Sequence, residues 1–330
     1  MALPLREYFG FNDCFATSLG ALSNLSLIVI ILKTKNAELV KYNRILLQAI
    51  FVDLGFLIIT FITRPIVVTY KSTESLIPNP IIDVDQSTKY ILQYLWVIGL
   101  FYSICAVPIS FYYRYRILCK NKCFPIKLQV GLLLFALFLS VTYSLHAYYA
   151  FHIRTKQFYG ISEEFLAPWF ADVNGKVNPA GFVGYFDYYV YIFMTHAAIL
   201  TVGAYYVIIW CSWRVYKFMK YHQQIRQVHK SFVDIHNQLT RTLIAQALIP
   251  LFTFATPIIF IIITVTTPVY IHPIISAGIA TSFSYIPLAN ALSIFVFVKS
   301  YRKRGFVILK NGLKKIFHKN GPSTVIISVS

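Results

Sequence analysis

Long apolar stretches recur along this chain, with shorter polar stretches between them. A helix needs about 20 residues to cross a bilayer core of roughly 30 Å, and seven of the stretches are near or above that length. They are Phe11 to Leu32, Ile45 to Ile62, Tyr90 to Tyr113, Leu128 to Phe151, Tyr188 to Trp210, Thr242 to Thr266 and Ile274 to Val298. Because a helix satisfies its backbone hydrogen bonds internally, the pattern predicts an all-α membrane protein, a bundle of seven transmembrane helices.

The same pattern divides the chain into three parts. Residues 1–10 form a short segment before the first span, residues 11–298 form the helical membrane domain, and residues 299–330 form a basic tail. In the tail, Phe306 and Leu313 are among apolar residues at helical spacing with lysines between them. This spacing predicts a helix that lies on the membrane surface.

Composition and charge agree with a membrane protein. Hydrophobic residues make up 57% of the chain and charged residues 13%, whereas a soluble domain has about 25% charged residues. The net charge of +18 does not indicate nucleic acid, because most of the basic residues lie in alternate loops and in the tail. By the positive-inside rule these loops are cytoplasmic, so the amino terminus is outside and the carboxyl terminus inside. The basic loops are also suited to anionic membrane lipid.

Asp53 lies inside the second predicted span, where an ionised carboxylate is costly. It is expected to face the bundle interior and to stay neutral, bind a cation, or pair with polar groups of neighbouring helices. Asn24 in the first span and Asn290 in the seventh are candidate partners. A purely structural hydrogen bond between helices is an equally open interpretation.

Prolines interrupt the later spans, including Pro250 in the sixth and Pro287 in the seventh. Proline removes a backbone donor and kinks a helix. The kinks are candidates for hinges of a switch between two states, and a static kink is the alternative.

Aromatic and polar side chains near the outer ends of the spans are candidates for a ligand pocket. We select Gln93, Tyr94, Tyr191, Phe254 and Tyr285, because binding pockets combine apolar walls with a few polar anchors. An interfacial aromatic belt is the alternative for each aromatic residue.

No pattern of catalytic or metal-binding residues is evident. His146 and His196 lie in the fourth and fifth spans without the further ligands and acidic helper that a zinc site needs. Neither a nucleophile elbow nor a phosphate loop is present in the sequence. We therefore expect no enzymatic activity, no metal and no cofactor.

Arg114 and Tyr115 directly follow the third predicted span, and this junction resembles the acidic-Arg-Tyr motif of G-protein-coupled receptors. Asp53 and Asn290 are similar to the second-helix aspartate and seventh-helix asparagine of that superfamily. Tyr113 departs from the pattern, since it occupies the position of the acid. The restraint that a carboxylate imposes on the arginine is therefore in question here.

Four stretches carry a closer resemblance, to nematode serpentine chemoreceptors and most of all to their class delta branch. They are Tyr42 to Asp53, Pro108 to Tyr115, Gln238 to Pro250, and Pro287 to Arg302. Their order along the chain is that of the family.

The resemblance implies a chemosensory receptor for olfaction in the ciliary plasma membrane of a sensory neuron. It would bind a small external chemical between the outer helix halves and signal through a heterotrimeric G protein. The residues implied at the cytoplasmic cleft are Arg114, Tyr115 and Arg241. Those implied in the interior relay are Asp53, Asn24, Asn290, Pro250 and Pro287.

Two other classes of membrane protein remain as alternatives. A ligand-gated channel like the seven-span insect odorant receptors would place the amino terminus inside, against the charge distribution. A transporter is expected to show internal repeats and charges at the membrane midplane, and this sequence shows no repeat between its halves. The sequence carries no signal for an oligomeric state.

Overall fold

The computed structural model describes most of the chain. The described residues are 5–34, 37–70, 73–122, 124–172, 174–179, 181–184, 188–225, 238, 240–249, 251–252, 256, 259–260, 263, 272–307 and 310. Five long helices come first: α1 (Leu5–Lys33), α2 (Ala37–Thr63), α3 (Gln86–Lys120), α4 (Ile126–Phe170) and α5 (Tyr188–Ile225). They are followed by helical residues 240–249 (α6), α7 (Pro273–Ala280), a 3-10 segment (Thr281–Tyr285), α8 (Ile286–Phe297) and helical residues 299–307.

The bundle agrees with the predicted spans. Within the described residues, six helical segments are long and apolar enough to cross a membrane, and they contain the first five predicted spans and almost all of the seventh. In the seventh, α7, the 3-10 segment and α8 form one continuous segment, Pro273–Phe297. The sixth predicted span lies partly outside the described residues, and α6 covers its beginning.

Helix α3 lies at the centre of the bundle. It packs against α2, α4 and α5, and 61% of its apolar window is buried, compared with 28% for α4 and α5. Asp85 caps its first turn by accepting a hydrogen bond from the Thr88 backbone N–H at 3.2 Å. Asn121 ends it in the left-handed conformation, with φ of 47°. We call the end of the bundle that holds Arg114 and Lys120 the basic end.

Helix α4 is longer than the sequence analysis predicts. Its predicted span ends at Phe151, but the helix continues to Phe170. The extension is stabilised by tertiary packing, because Leu166 and Phe170 are buried in a cluster with Ile66 and other apolar residues.

A three-stranded antiparallel sheet lies at the opposite end, which we call the hairpin end. Strands β1 (Ile66–Tyr70) and β2 (Thr73–Ile77) form a hairpin, and β3 (Gly181–Gly184) pairs with β2. The sequence pattern predicts only loops here, so the all-α description holds for the bundle and does not include this sheet. The signal was the β-branched run from Ile66 to Thr69, which favours a strand.

The hairpin buries both of its faces. Val67 and its cross-strand partner Leu76 belong to the main buried cluster of the bundle. Val68 and Ile77 belong instead to the cluster that covers the other face. This alternation follows from the two-residue period of a strand. It sets the direction of every side chain on β2.

Candidate functional site

A buried polar contact joins α2 to α8. The Asn290 side-chain amide donates hydrogen bonds to both carboxylate oxygens of Asp53, at 3.1 and 3.4 Å. Asp53 is 5% exposed and Asn290 is 6% exposed. The structure thus brings together two residues that the sequence analysis paired.

Asn24 makes no side-chain hydrogen bond with Asp53 among the described residues. Its side-chain amide donates to the Gly20 carbonyl at 2.9 Å and to the Pro287 carbonyl at 3.3 Å. Pro287 lies in the first turn of α8, directly after the 3-10 segment. Asn24 therefore joins α1 to the start of the helix that carries Asn290. Pro250, the other proline of the predicted relay, lies outside the described residues.

A small cavity of about 30 Å³ adjoins the contact between Asp53 and Asn290. It is polar on several sides, with Ser103 and Ser110 from α3 and Gln246 from α6 in its lining. This volume is sufficient for one or two water molecules. The cavity is the place where α2, α3, α6 and α8 share an interface.

At the basic end of α3, Arg114 is 4% exposed and lies near the Tyr42 phenol of α2. Tyr113 occupies the position of the acidic residue in the receptor motif, and it does not restrain Arg114 as a carboxylate would. Its hydroxyl donates to the Lys41 carbonyl at 2.6 Å, and its ring packs on Phe124 at 4.9 Å between centroids. Tyr113 therefore joins α3 to the start of α2 and to the segment before α4.

Tyr115 faces the fifth and sixth helices. Its ring packs against Trp210 of α5 at 4.9 Å between centroids. Nearby, the Tyr205 hydroxyl of α5 donates to the Ala247 carbonyl of α6 at 2.6 Å, a contact that the sequence analysis missed. Arg241 is exposed on α6, so it does not share the buried environment of Arg114.

The ligand-pocket candidates are dispersed at the hairpin end. Gln93 is fully buried in α3, whereas Tyr94 packs against Tyr148 at the side of the bundle. The Tyr285 hydroxyl donates to the Asn12 side chain at 2.8 Å. Tyr191 is 65% exposed on the outer face of α5 and does not meet the others. Phe254 lies outside the described residues.

Two buried acids at or near this end were missed. Asp13 lies within the first predicted span, is 1% exposed and accepts a hydrogen bond from Ser284 at 2.8 Å. Glu74 lies on β2 and is 5% exposed, and its burial raises the pKa of the carboxyl group to about 7. Asp13 was recognisable from its position in an apolar span. Recognition of Glu74 required the strand to be predicted first.

The bundle, its buried arginine at the basic end of α3 and its Asp53–Asn290 contact define an integral membrane protein of the seven-helix receptor class. A family described as serpentine type 7TM GPCR chemoreceptor Str matches residues 11–306, and the chain belongs to that family. The matching family does not confirm the class delta branch.

Among solved structures, squid rhodopsin superposes with a TM-score of 0.60 at 14% sequence identity. The match covers 98% of this chain and 90% of the rhodopsin chain, and it shows a shared fold. The search of curated proteins found no match. Family and fold are both of the receptor type. Within the described residues no cluster of three or more metal-ligating side chains occurs.

Proposed function

We propose that this protein is a chemosensory receptor of the plasma membrane that binds a small external chemical at its hairpin end and activates a heterotrimeric G protein at its basic end. Membership in the chemoreceptor family supports the receptor class. The positive-inside rule supports an outer hairpin end and an inner basic end in contact with anionic lipid. A location in sensory cilia and the class delta assignment stay predictions from the resemblance.

The observation that carries the proposal is the polar interior shared by α2, α3, α6 and α8. The Asp53–Asn290 contact and the adjoining cavity lie between the two ends of the bundle. Polar groups in such a position have more than one possible arrangement when neighbouring helices move. A ligand shifts the bundle between two states only if it binds one of them more tightly. We propose that ligand binding favours the state in which α6 moves away from α3.

Arg114 would then contact the G protein when the cleft between α3 and α6 opens. In the present state Arg114 is buried beside α2. Tyr115, the next residue of α3, packs against α5 and α6. Movement of α6 would disrupt the Tyr205–Ala247 hydrogen bond and expose this cluster. Such rearrangements of packed helices are an established form of switching.

The test is the substitution Arg114→Ala in a receptor that carries epitope tags at Met1 and Ser330. We expect loss of G-protein activation by a panel of small chemicals, with surface expression retained. Lys120→Ala is the matched control, because Lys120 is an exposed basic residue on the same helix. Its signalling is expected to stay normal.

The tags also report topology on intact and permeabilised cells. Normal signalling from Arg114→Ala would contradict the proposed coupling site. An inner amino terminus would contradict the receptor topology and favour the channel alternative, which patch-clamp recording would then examine.

A further inference from the structure

Glu74 points into the bundle from the middle of the sheet. Leu76, two residues further along β2 and therefore on the same strand face, packs in the main buried cluster. Thr69 is the cross-strand partner of Glu74 and is also buried. The Glu74 carboxylate also lies within electrostatic reach of the Tyr143 phenol of α4, another member of the main cluster. The Glu74 carboxylate therefore lies among apolar residues at the hairpin end of the bundle.

No cation in the described part of the chain neutralises this carboxylate. In that part of the chain its Oε2 atom is buried without a hydrogen-bond partner. Three described basic residues at the same end are engaged with other groups. Arg6 donates to Asn79 at 2.8 Å, Arg64 to the Asn79 and Pro80 carbonyls at 2.7 and 2.9 Å, and Lys89 pairs with Asp83 at 3.1 Å.

One turn of α3 adds further unsatisfied polar groups. Both polar atoms of the Gln93 side chain and the Trp96 indole nitrogen are buried without a partner in the described residues. Gln93 is 0% exposed and Trp96 is 3% exposed. Buried polar groups are normally satisfied, and groups that are not usually meet a ligand or water. Trp96 and Leu76, the neighbour of Glu74 on the same strand face, belong to the same buried cluster.

The main buried cluster is rich in aromatic rings. The Trp96 ring lies 6.4 Å from Phe56 and 5.9 Å from Phe283, and Tyr143 stacks on Phe193 at 5.1 Å between centroids. The faces of aromatic rings attract cations, most strongly when water is excluded. Apolar walls with a few polar anchors are also the usual composition of a small-molecule site.

We propose that Glu74 anchors a small organic cation, an ammonium ion with an apolar substituent, at the hairpin end of the bundle. The ammonium would pair with the carboxylate and the apolar substituent would lie against the aromatic rings. The Gln93 side-chain oxygen would accept a hydrogen bond from the ammonium ion. The inference rests on the proposed function and names the ligand class of that receptor.

The physical reason is the cost of a buried charge. An isolated carboxylate in apolar surroundings loses its hydration, and a cation of opposite charge returns part of that loss. An anionic ligand would add a second negative charge and be repelled. A neutral ligand would leave the ionised carboxylate without a counter-ion, so the site distinguishes an ammonium from a neutral molecule of the same shape.

The experiment measures direct binding to the purified full-length receptor in lipid nanodiscs at pH 8. The probes are benzylammonium, 2-phenylethylammonium and trimethylphenylammonium, each compared with a neutral counterpart such as benzyl alcohol, 2-phenylethanol or tert-butylbenzene. We expect at least one ammonium ion to bind at least tenfold more tightly than its neutral counterpart. Glu74→Gln is expected to weaken that binding at least tenfold and to remove the preference.

Glu74→Gln keeps the shape of the side chain and removes the buried charge, so folding is expected to be retained. Glu164→Gln is the matched control, because Glu164 is an exposed glutamate on the extension of α4 at the same end, and it should leave the affinity unchanged. Unchanged affinity in Glu74→Gln, or no preference for any ammonium ion in the panel, would overturn the inference.

The outcome is separable from the proposed function, since binding is measured without a G protein. A receptor that signals in response to neutral chemicals and does not prefer ammonium ions would contradict this inference alone. A receptor that binds the ammonium ions through Glu74 and activates no G protein would contradict the proposed function alone.

Discussion

At the scale of single residues, Glu74 shows how burial changes the pKa of a glutamate side chain. On an exposed strand it would be an ordinary surface glutamate. Here both strand faces are covered, and burial raises the pKa of the carboxyl group from 4.5 to about 7. The described titratable group that faces it is Tyr143 of α4, which carries no positive charge.

This pKa predicts a pH-dependent stability. Between about pH 4.5 and pH 7 the unfolded chain releases the Glu74 proton while the folded chain retains it. The contribution of Glu74 to stability therefore falls as pH rises through this window and levels off above it. Glu74→Gln removes the effect and should stabilise the ligand-free receptor at pH 8 by up to about 3 kcal/mol.

Thermal unfolding of the purified receptor at pH 5 and pH 8 measures this difference. The gain in melting temperature of Glu74→Gln over the natural protein should be larger at pH 8. Glu164→Gln, which removes an exposed carboxylate, should show no comparable gain. An equal gain at both pH values would argue that Glu74 is solvated in the folded receptor.

At the scale of secondary-structure elements, the sheet and the extension of α4 depend on each other. Gly181 of β3 lies so close to α4 that a Cβ atom there would meet the Phe151 Cβ at 2.6 Å. Real Cβ atoms do not approach so closely, so only glycine allows β3 to pair with β2 and pack on α4 at once. The hairpin end is held together by this approach and by the packing of Leu166 and Phe170.

Gly181→Ala should therefore displace β3 from α4. The expected cost is about 1–3 kcal/mol, typical of overpacking in a core. Gly203→Ala is the control, because a Cβ atom on that α5 glycine meets nothing within 4 Å. Thermal unfolding should show a lower melting temperature for the first variant and an equal or higher one for the second. Equal melting temperatures would mean that Phe151 moves aside without cost.

At the scale of the whole molecule, the Asp53–Asn290 contact joins helices from the two halves of the sequence. Asn24 adds α1 through the Pro287 carbonyl, and the cavity lining adds α3 and α6. A change at this point therefore affects how five helical elements pack. A hydrogen bond between two helices inside a membrane stabilises the fold by only about 1 kcal/mol. Its loss should therefore disturb the switch between receptor states more than it disturbs folding.

Asn290→Ala should lower the maximal G-protein response to an activating chemical several-fold while the receptor still reaches the cell surface. Concentration–response curves with surface labelling measure both quantities. Leu292→Ala, on the exposed face of the same helix, is the control and should respond normally. An unchanged maximal response in Asn290→Ala would reduce the contact to a structural hydrogen bond.

The sequence by itself determined the bundle. In an apolar stretch long enough to span a bilayer, a helix satisfies the backbone hydrogen bonds within the stretch itself. Six of the predicted spans are confirmed as helices among the described residues. The sequence also marked Asp53 as a residue in need of a polar partner, because a charge inside a span is costly, and it left Asn24 and Asn290 as candidates between which the structure decided.

The tertiary structure alone decided the hairpin end and the direction of its side chains. The sheet forms because β3 approaches from a distant segment, and α4 extends because that sheet buries Leu166 and Phe170. Burial of Glu74, the partner of Asn24 and the exposure of Tyr191 follow from contacts far apart in the chain. Local patterns do not contain such contacts, because each depends on which face a neighbouring element covers.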